Sequence, residues 1–117
     1  RLLGRVLDSL EVSADGRVAC ITTMRKDLRE FASGKDALEG FINYPRSIVG
    51  VEVAVSFREE EGGVFRVSFR SKGRVDVSAV AARFGGGGHR NAAGCTVQGT
   101  LADVKKTVHE ALAAVLS

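Results

Sequence analysis

The sequence predicts an α/β fold in which residues 1–117 form a single domain, with roughly five strands in one sheet flanked by helices. Three observations carry this. Apolar residues recur at the helical interval near both ends, as Leu2, Leu3, Val6, Leu7 and Leu10 and again as Leu101, Val104, Val108, Leu112 and Val115. Between them, from Val51 to Phe69, apolar and polar residues alternate one for one, the period of a half-buried strand. Finally, 117 residues at 44% hydrophobic and 26% charged composition supply one core and no more.

The elements follow in order. The first helix is expected to unwind near Asp8 or Ser9. Leu10–Ser13 and a strand from Arg17 to about Thr23 read as a hairpin around Ala14-Asp15-Gly16, since Asp-Gly supplies the turn chemistry. Thr23 is a candidate N-cap for a helix through Leu28, Phe31 and Ala32 that Gly34 would end. A short helix over Asp36–Ile42 follows, and Pro45 is expected to force a non-helical connection.

Val51, Val53, Val55 and Phe57 then alternate with Glu52, Ala54, Ser56 and Arg58; Glu59-Glu60-Glu61-Gly62-Gly63 is the solvated turn. The return strand sets Phe65, Val67 and Phe69 on one face and Arg66, Ser68 and Arg70 on the other. This hairpin is expected at the centre of the sheet, with Arg70 at a strand end. Asp76 is placed to cap a helix with Val77, Val80, Ala81 and Phe84 inward, and Gly85 stands where that helix needs a left-handed ending. Cys95–Gln98 reads as a short strand, and Thr100-Leu101-Ala102-Asp103 resembles a capping box opening the last helix.

Several function classes drop out. Runs such as Val77–Ala82 and Val53–Val55 are too short to cross a bilayer, and no charged segment precedes an apolar signal stretch, so a cytoplasmic domain without membrane contact is expected. Cys20 and Cys95 lie far apart without CxxC or Cys/His spacing, which favours two buried thiols over a disulfide or a zinc site. The chain opens on Arg1 with apolar residues already at helical spacing, and reads as a piece of a longer protein.

The charge is uneven. Six bases against Asp76 alone between Arg66 and Arg90 give that stretch +5, leaving −2 for the rest of a chain whose net charge is +3. The stretch ends in Gly85-Gly86-Gly87-Gly88-His89-Arg90, with Asn91 next. Glycine amides free of side-chain bulk can converge on an anion, and a helix-like turn at Asn91–Ala93 would add its dipole. A glycine run alone is more often a flexible turn; the adjoining His89 and Arg90, with Arg70 and Lys72 reaching from the strand end, shift the reading to an anion site. The run follows a helix, unlike a GxGxxG phosphate loop, and no GxxxxGK[ST] is present.

Catalysis by this chain has little support. Its only histidines are His89 and His109, and it has no Asp-x-Asp or Asp-His-His metal cluster and no Gly-x-Ser-x-Gly. Catalytic and metal-binding residues are therefore expected to be none.

Arg70-Ser71-Lys72-Gly73-Arg74-Val75-Asp76-Val77, followed by Phe84 through Cys95, resembles the C-terminal substrate-binding domain of DHH-family phosphoesterases. Within that family the chain is most similar to the oligoribonuclease/pAp-phosphatase branch, as is the stretch from Asn43-Tyr44-Pro45-Arg46 through Val55. The resemblance implies a mixed sheet flanked by helices, and a separate N-terminal DHH domain whose aspartates and histidines bind Mn2+ and do the hydrolysis. It implies that Arg70, Ser71, Lys72, Gly87, Gly88, His89 and Arg90, with Gly86 and Asn91 completing the set, hold the phosphate or terminal nucleotide of short single-stranded RNA or pAp. By itself the chain would then bind weakly and hydrolyse nothing; in the longer protein a homodimer is compatible with the family. Alternatives are the corresponding domain of a cyclic-dinucleotide phosphodiesterase or RecJ-like single-strand exonuclease, and, from another class, a non-catalytic RNA-binding appendage as in tRNA-synthetase tails.

Overall fold

A computed structural model of the protein describes residues 1–30, Leu38 and residues 40–116. Its frame is a mixed sheet of six strands in the order β1-β2-β3-β4-β6-β5. The strands are β1 (Glu11–Val12), β2 (Val18–Thr23), β3 (Val53–Glu60), β4 (Val64–Ser71), β5 (Gly87–His89) and β6 (Ala92–Gln98). All neighbours are antiparallel except β2 and β3, which run parallel and are joined by the long connection over residues 24–52.

The expected alternation fixes the two faces. Phe65, Val67 and Phe69 of β4 and Val53, Val55 and Phe57 of β3 point into one core with Cys20 and Cys95. Helix α4 (Val77–Ala82) and helix α5 (Leu101–Leu116) cover it through Val77, Val80, Val104, Val108 and Leu112. Phe57 and Phe69 are wholly buried there; truncating either to alanine would cost about 3–5 kcal/mol. On the opposite face a smaller cluster of Leu2, Val6, Ile21 and Leu38 packs helices α1 (Leu2–Leu7) and α2 (Arg25–Glu30) over β2. Helix α3 (Asn43–Arg46) adjoins β2 and β3. Among the described residues no helix covers the far half of this face, over β4, β6 and β5.

The central β3–β4 hairpin, the Asp76 cap and both buried thiols are as expected. The Asp76 carboxylate accepts from the Ser78 amide at 3.0 Å, and Cys20 and Cys95 are buried and free. Gly85 ends α4 at φ +79, with Gly85 N donating to Ala82 O at 3.1 Å and Gly86 N to Ala81 O at 3.0 Å. That is the paired bonding of a Schellman ending.

Other expectations are corrected. The sheet gains a sixth strand because the glycine run does not stay a loop: Gly87–His89 pairs with Ala92–Gly94 as a hairpin on the sheet edge. The helix-like turn at Asn91–Ala93 is therefore absent, and β6 begins at Ala92 rather than Cys95. Thr23 ends β2 instead of capping α2; the Asp27 carboxylate accepts from the Met24 amide at 3.2 Å and Glu59 from the Arg25 amide at 2.9 Å, serving the helix start from elsewhere. Pro45 lies inside α3, in its first turn, where an amide has no intrahelical acceptor to lose. Glu59 and Glu60 extend β3, so the turn shrinks to Glu61-Gly62-Gly63, with both glycines at positive φ. Val115 is exposed and Leu116 takes its inward place, one step of four beyond Leu112. Leu38, Gly40 and Phe41 are helical as expected, whereas the expectations for Phe31, Ala32, Gly34 and Asp36 fall outside the described residues.

Candidate functional site

The open half of the sheet forms a groove of about 320 Å3, walled by Leu38 and Ile42 and floored by side chains of β3, β4, β6 and β5. Register organises the floor into three rows. Arg70 of β4 faces Ala92 of β6, which faces His89 of β5. One step of the pleat along, Ser56, Ser68, Gly94 and Gly87 stand in line, and beyond them Arg58, Arg66 and Thr96. Strand spacing sets Arg70 and His89 about 10 Å apart across small Ala92. The floor is thus two basic rows with a row of hydroxyls and bare backbone between.

Arg70 donates from Nη1 to its neighbour's carbonyl, Phe69 O, at 3.0 Å. Neither Arg66 nor Arg70 has a carboxylate partner among the described residues. Arg58 pairs with Glu60 at 2.9 Å through Nη2, while its Nε is buried with no hydrogen-bond partner. The Arg66 guanidinium lies over Gly94: a Cβ there would sit 2.6 Å from Nη2. These groups together form a strongly cationic concavity, whose charge complements an anion.

The glycines divide the work. A Cβ on Gly86 would lie 2.1 Å from Gly94 O, and one on Gly88, at φ +147, 2.6 Å from Ala92 O; both are required for β5 to lie against β6. Gly87 differs, since a Cβ there meets nothing within 4 Å and would enter the groove. As the last strand of the sheet, β5 also leaves one row of its backbone groups without a ladder partner.

The structure thus gathers Arg70, Gly87 and Gly88 in the groove lining, with His89 exposed at its edge in the same row as Arg70. The remaining members of the expected set are engaged around it. Ser71 is buried on the core side of β4, and its hydroxyl meets Val75 O at 2.7 Å, Arg90 O at 3.3 Å and Asn91 Oδ1 at 3.0 Å. Arg90 donates to Gly73 O at 2.9 Å and Arg74 O at 3.4 Å, and Lys72 donates to Ile48 O at 3.1 Å. The Ser71 and Arg90 contacts tie the β5–β6 turn and the loop after β4 to each other, and Lys72 ties that loop to the segment before β3. Arg58, Arg66, Ser56 and Ser68 join the floor without having been expected there. The alternation of β3 and β4 held the signal, because residues two apart on paired strands share a face.

A larger cavity of about 510 Å3 lies between the β1–β2 hairpin and α5. Its charges are matched: Glu11 pairs with Lys105, which holds the Glu11 carboxyl below its usual range. Burial pushes the Cys20 thiol up to about 11 and lowers the His109 imidazole, which packs edge-on to Phe57 with ring centres 6.2 Å apart. In the groove, by contrast, Arg66 and Arg70 have no carboxylate partner among the described residues.

Among the described residues no three His, Cys, Asp or Glu side chains gather as metal ligands, and no helix is long and apolar enough to cross a membrane. Guanidinium groups and hydroxyls do not suit a divalent cation such as Mn2+; the groove's chemistry fits the opposite charge.

The fold is a mixed α/β sheet with a cationic groove on one face and a glycine hairpin at its rim. Residues 18–116 match the model of the DHHA1 domain, and the chain belongs to that family. It is 35% identical over 99 residues to the bifunctional oligoribonuclease and PAP phosphatase NrnA of Thermus thermophilus, covering 85% of this chain and 29% of that protein. It is 34% identical over 94 residues to a probable enzyme of the same name from Streptococcus mutans, covering 80% and 30%. The chain therefore spans about three tenths of the length of these curated relatives. A crystal structure of an exopolyphosphatase-related protein from Bacteroides fragilis superposes with a TM-score of 0.88 at 35% identity, over 97% of this chain and 34% of that one. A pGpG-specific phosphodiesterase from Vibrio cholerae shares the fold alone, with a TM-score of 0.62 at 11% identity over 96% and 38%.

Proposed function

We propose that this chain is the substrate-binding domain of a DHH-family phosphoesterase, holding the phosphate or terminal nucleotide of a short oligoribonucleotide or of pAp. The observation that carries the reading is the row of Arg70, Ala92 and His89 beside Gly87, which presents a guanidinium without a carboxylate partner to space that a glycine keeps open. Arg70 meets a phosphate oxygen pair with a planar fork, and His89 donates from the opposite side. The similarity to two oligoribonuclease/PAP phosphatases supports this substrate class.

The hydrolytic step belongs to a DHH domain elsewhere in the longer protein, where Mn2+ would be held by carboxylate and imidazole ligands that this groove lacks. What this chain contributes is position: a phosphate fixed at Arg70 sets where the next linkage lies relative to that metal, and holding reactants in place supplies a large share of a rate enhancement. Ser71, Arg90, Asn91 and Lys72 serve by holding the glycine hairpin and the strand-end loop around the bound group.

The test is binding of a fluorescently labelled, 5′-phosphorylated short RNA to the chain, followed by anisotropy over a salt series. Arg70→Ala and His89→Ala should each weaken binding, and affinity should fall with added salt, as phosphate contacts require. Unchanged affinity in both variants, or affinity indifferent to salt, would overturn the proposal.

A further inference from the structure

We infer that the groove holds a second phosphate seat at Arg58 and Arg66, and that this seat distinguishes an oligonucleotide from a single nucleotide. The inference rests on the phosphate-binding reading of the Arg70 row and extends it along the sheet.

Arg58 and Arg66 are direct cross-strand partners on the groove face. Like charges placed opposite each other destabilise a sheet, and here the nearby acids do not relieve them fully. Glu59 accepts from the Arg25 amide, Glu61 pairs with the Arg25 side chain at 3.1 Å, and Glu60 takes one nitrogen of Arg58. Arg66 has no acidic partner among the described residues, and Arg58 Nε is buried without an acceptor. The unpaired cation of the seat is therefore the Arg66 guanidinium, with Arg58 adding its charge beside it across the strand pair. Gly94 completes the seat, because the space it leaves bare is where the Arg66 guanidinium lies.

The seat is separate from Arg70. Arg66 and Arg70 are four residues apart on one strand, about 13 Å between their Cα atoms. The row between them carries Ser56, Ser68, Gly94 and Gly87, small groups that leave room for a chain to run along the groove. The ligand this geometry takes is a polyanion with phosphates spaced along an extended backbone. A nucleoside bisphosphate occupies the Arg70 end only; a single strand of three or more nucleotides reaches both ends.

The experiment measures binding of two probes, adenosine 3′,5′-bisphosphate and a 5′-phosphorylated trinucleotide RNA, to the 117-residue chain by NMR titration, which also reports whether each variant is folded. Arg66→Gln and Arg58→Gln should weaken the trinucleotide by roughly tenfold or more, the loss of a hydrogen bond to a charged group. The bisphosphate should stay within about twofold, the scatter expected of independent sites. The salt slope for the trinucleotide should fall by about 0.7, one single-strand phosphate contact. Arg66→Lys should recover part of the affinity, since it keeps the charge and loses the fork. Equal weakening of both probes, or of neither, in a folded variant would overturn the second seat while leaving the Arg70 reading intact. A chain binding neither probe, or an Arg70→Ala variant binding both normally, would overturn both readings.

Discussion

The glycine hairpin allows a methyl group to separate folding from recognition. At Gly86 an added Cβ would lie 2.1 Å from Gly94 O and 2.6 Å from Cys95 Cβ, so β5 must part from β6. Overpacking of this kind costs about 1–3 kcal/mol or more. At Gly87 the same methyl meets nothing within 4 Å, and the backbone there is not left-handed. Gly87→Ala should therefore be neutral or stabilise the fold by about 0.4–1 kcal/mol, through the entropy removed from the unfolded chain. Because that methyl would stand in the groove, it should weaken binding of a short 5′-phosphorylated RNA. The assays are urea denaturation followed by far-UV circular dichroism, and anisotropy with the labelled RNA. Were Gly87→Ala as destabilising as Gly86→Ala, or were its RNA affinity unchanged, the division of labour among the glycines would be refuted.

Further outcomes are expected. Asp76→Ala should cost about 1 kcal/mol by removing the cap of α4, and Asp76→Asn should restore most of it, both measured as shifts in the denaturation midpoint. The His109 imidazole is held below its ordinary value of 6.5, first by burial and then by Lys105. The unfolded chain thus takes up this proton at a higher pH than the folded one, and stability should decline as pH falls below about 6.5. A stability profile in His109→Gln should lose that part of the slope. With its thiol pushed up to about 11 by burial, Cys20 should react slowly with a disulfide reagent at neutral pH and readily once the chain is unfolded.

The parts legible in sequence were those in which one period dominated. The alternation from Val53 to Phe69 gave the central hairpin and both its faces, and the i, i+3, i+4 spacing gave α4. The glycine hairpin was hidden because glycine has neither strand propensity nor an alternating side chain, so only the pairing with Ala92–Gly94 makes Gly87–His89 a strand. Thr23 and Pro45 obeyed local rules that tertiary contacts rearranged, Asp27 and Glu59 taking over the helix start. At the groove, Arg66 and Ser68 were visible on the right face. Arg58 lay outside the basic stretch from Arg66 to Arg90 and joins it only through the hairpin register. For Ser71, Arg90 and Asn91 the fold adds contacts that residue type does not show: the Ser71 hydroxyl meets Arg90 O and Asn91 Oδ1, and the Arg90 side chain donates to Gly73 O.

The two rims of the sheet, β1 and β5, are two and three residues long. A neighbouring copy adding a strand at either rim would gain only a few ladder bonds, and at β5 it would meet a glycine-rich stretch that gives a steric zipper no side chains to interlock. Short rims of this kind guard the sheet against edge-to-edge pairing, so the face left uncovered among the described residues can lie bare without becoming a seed for aggregation.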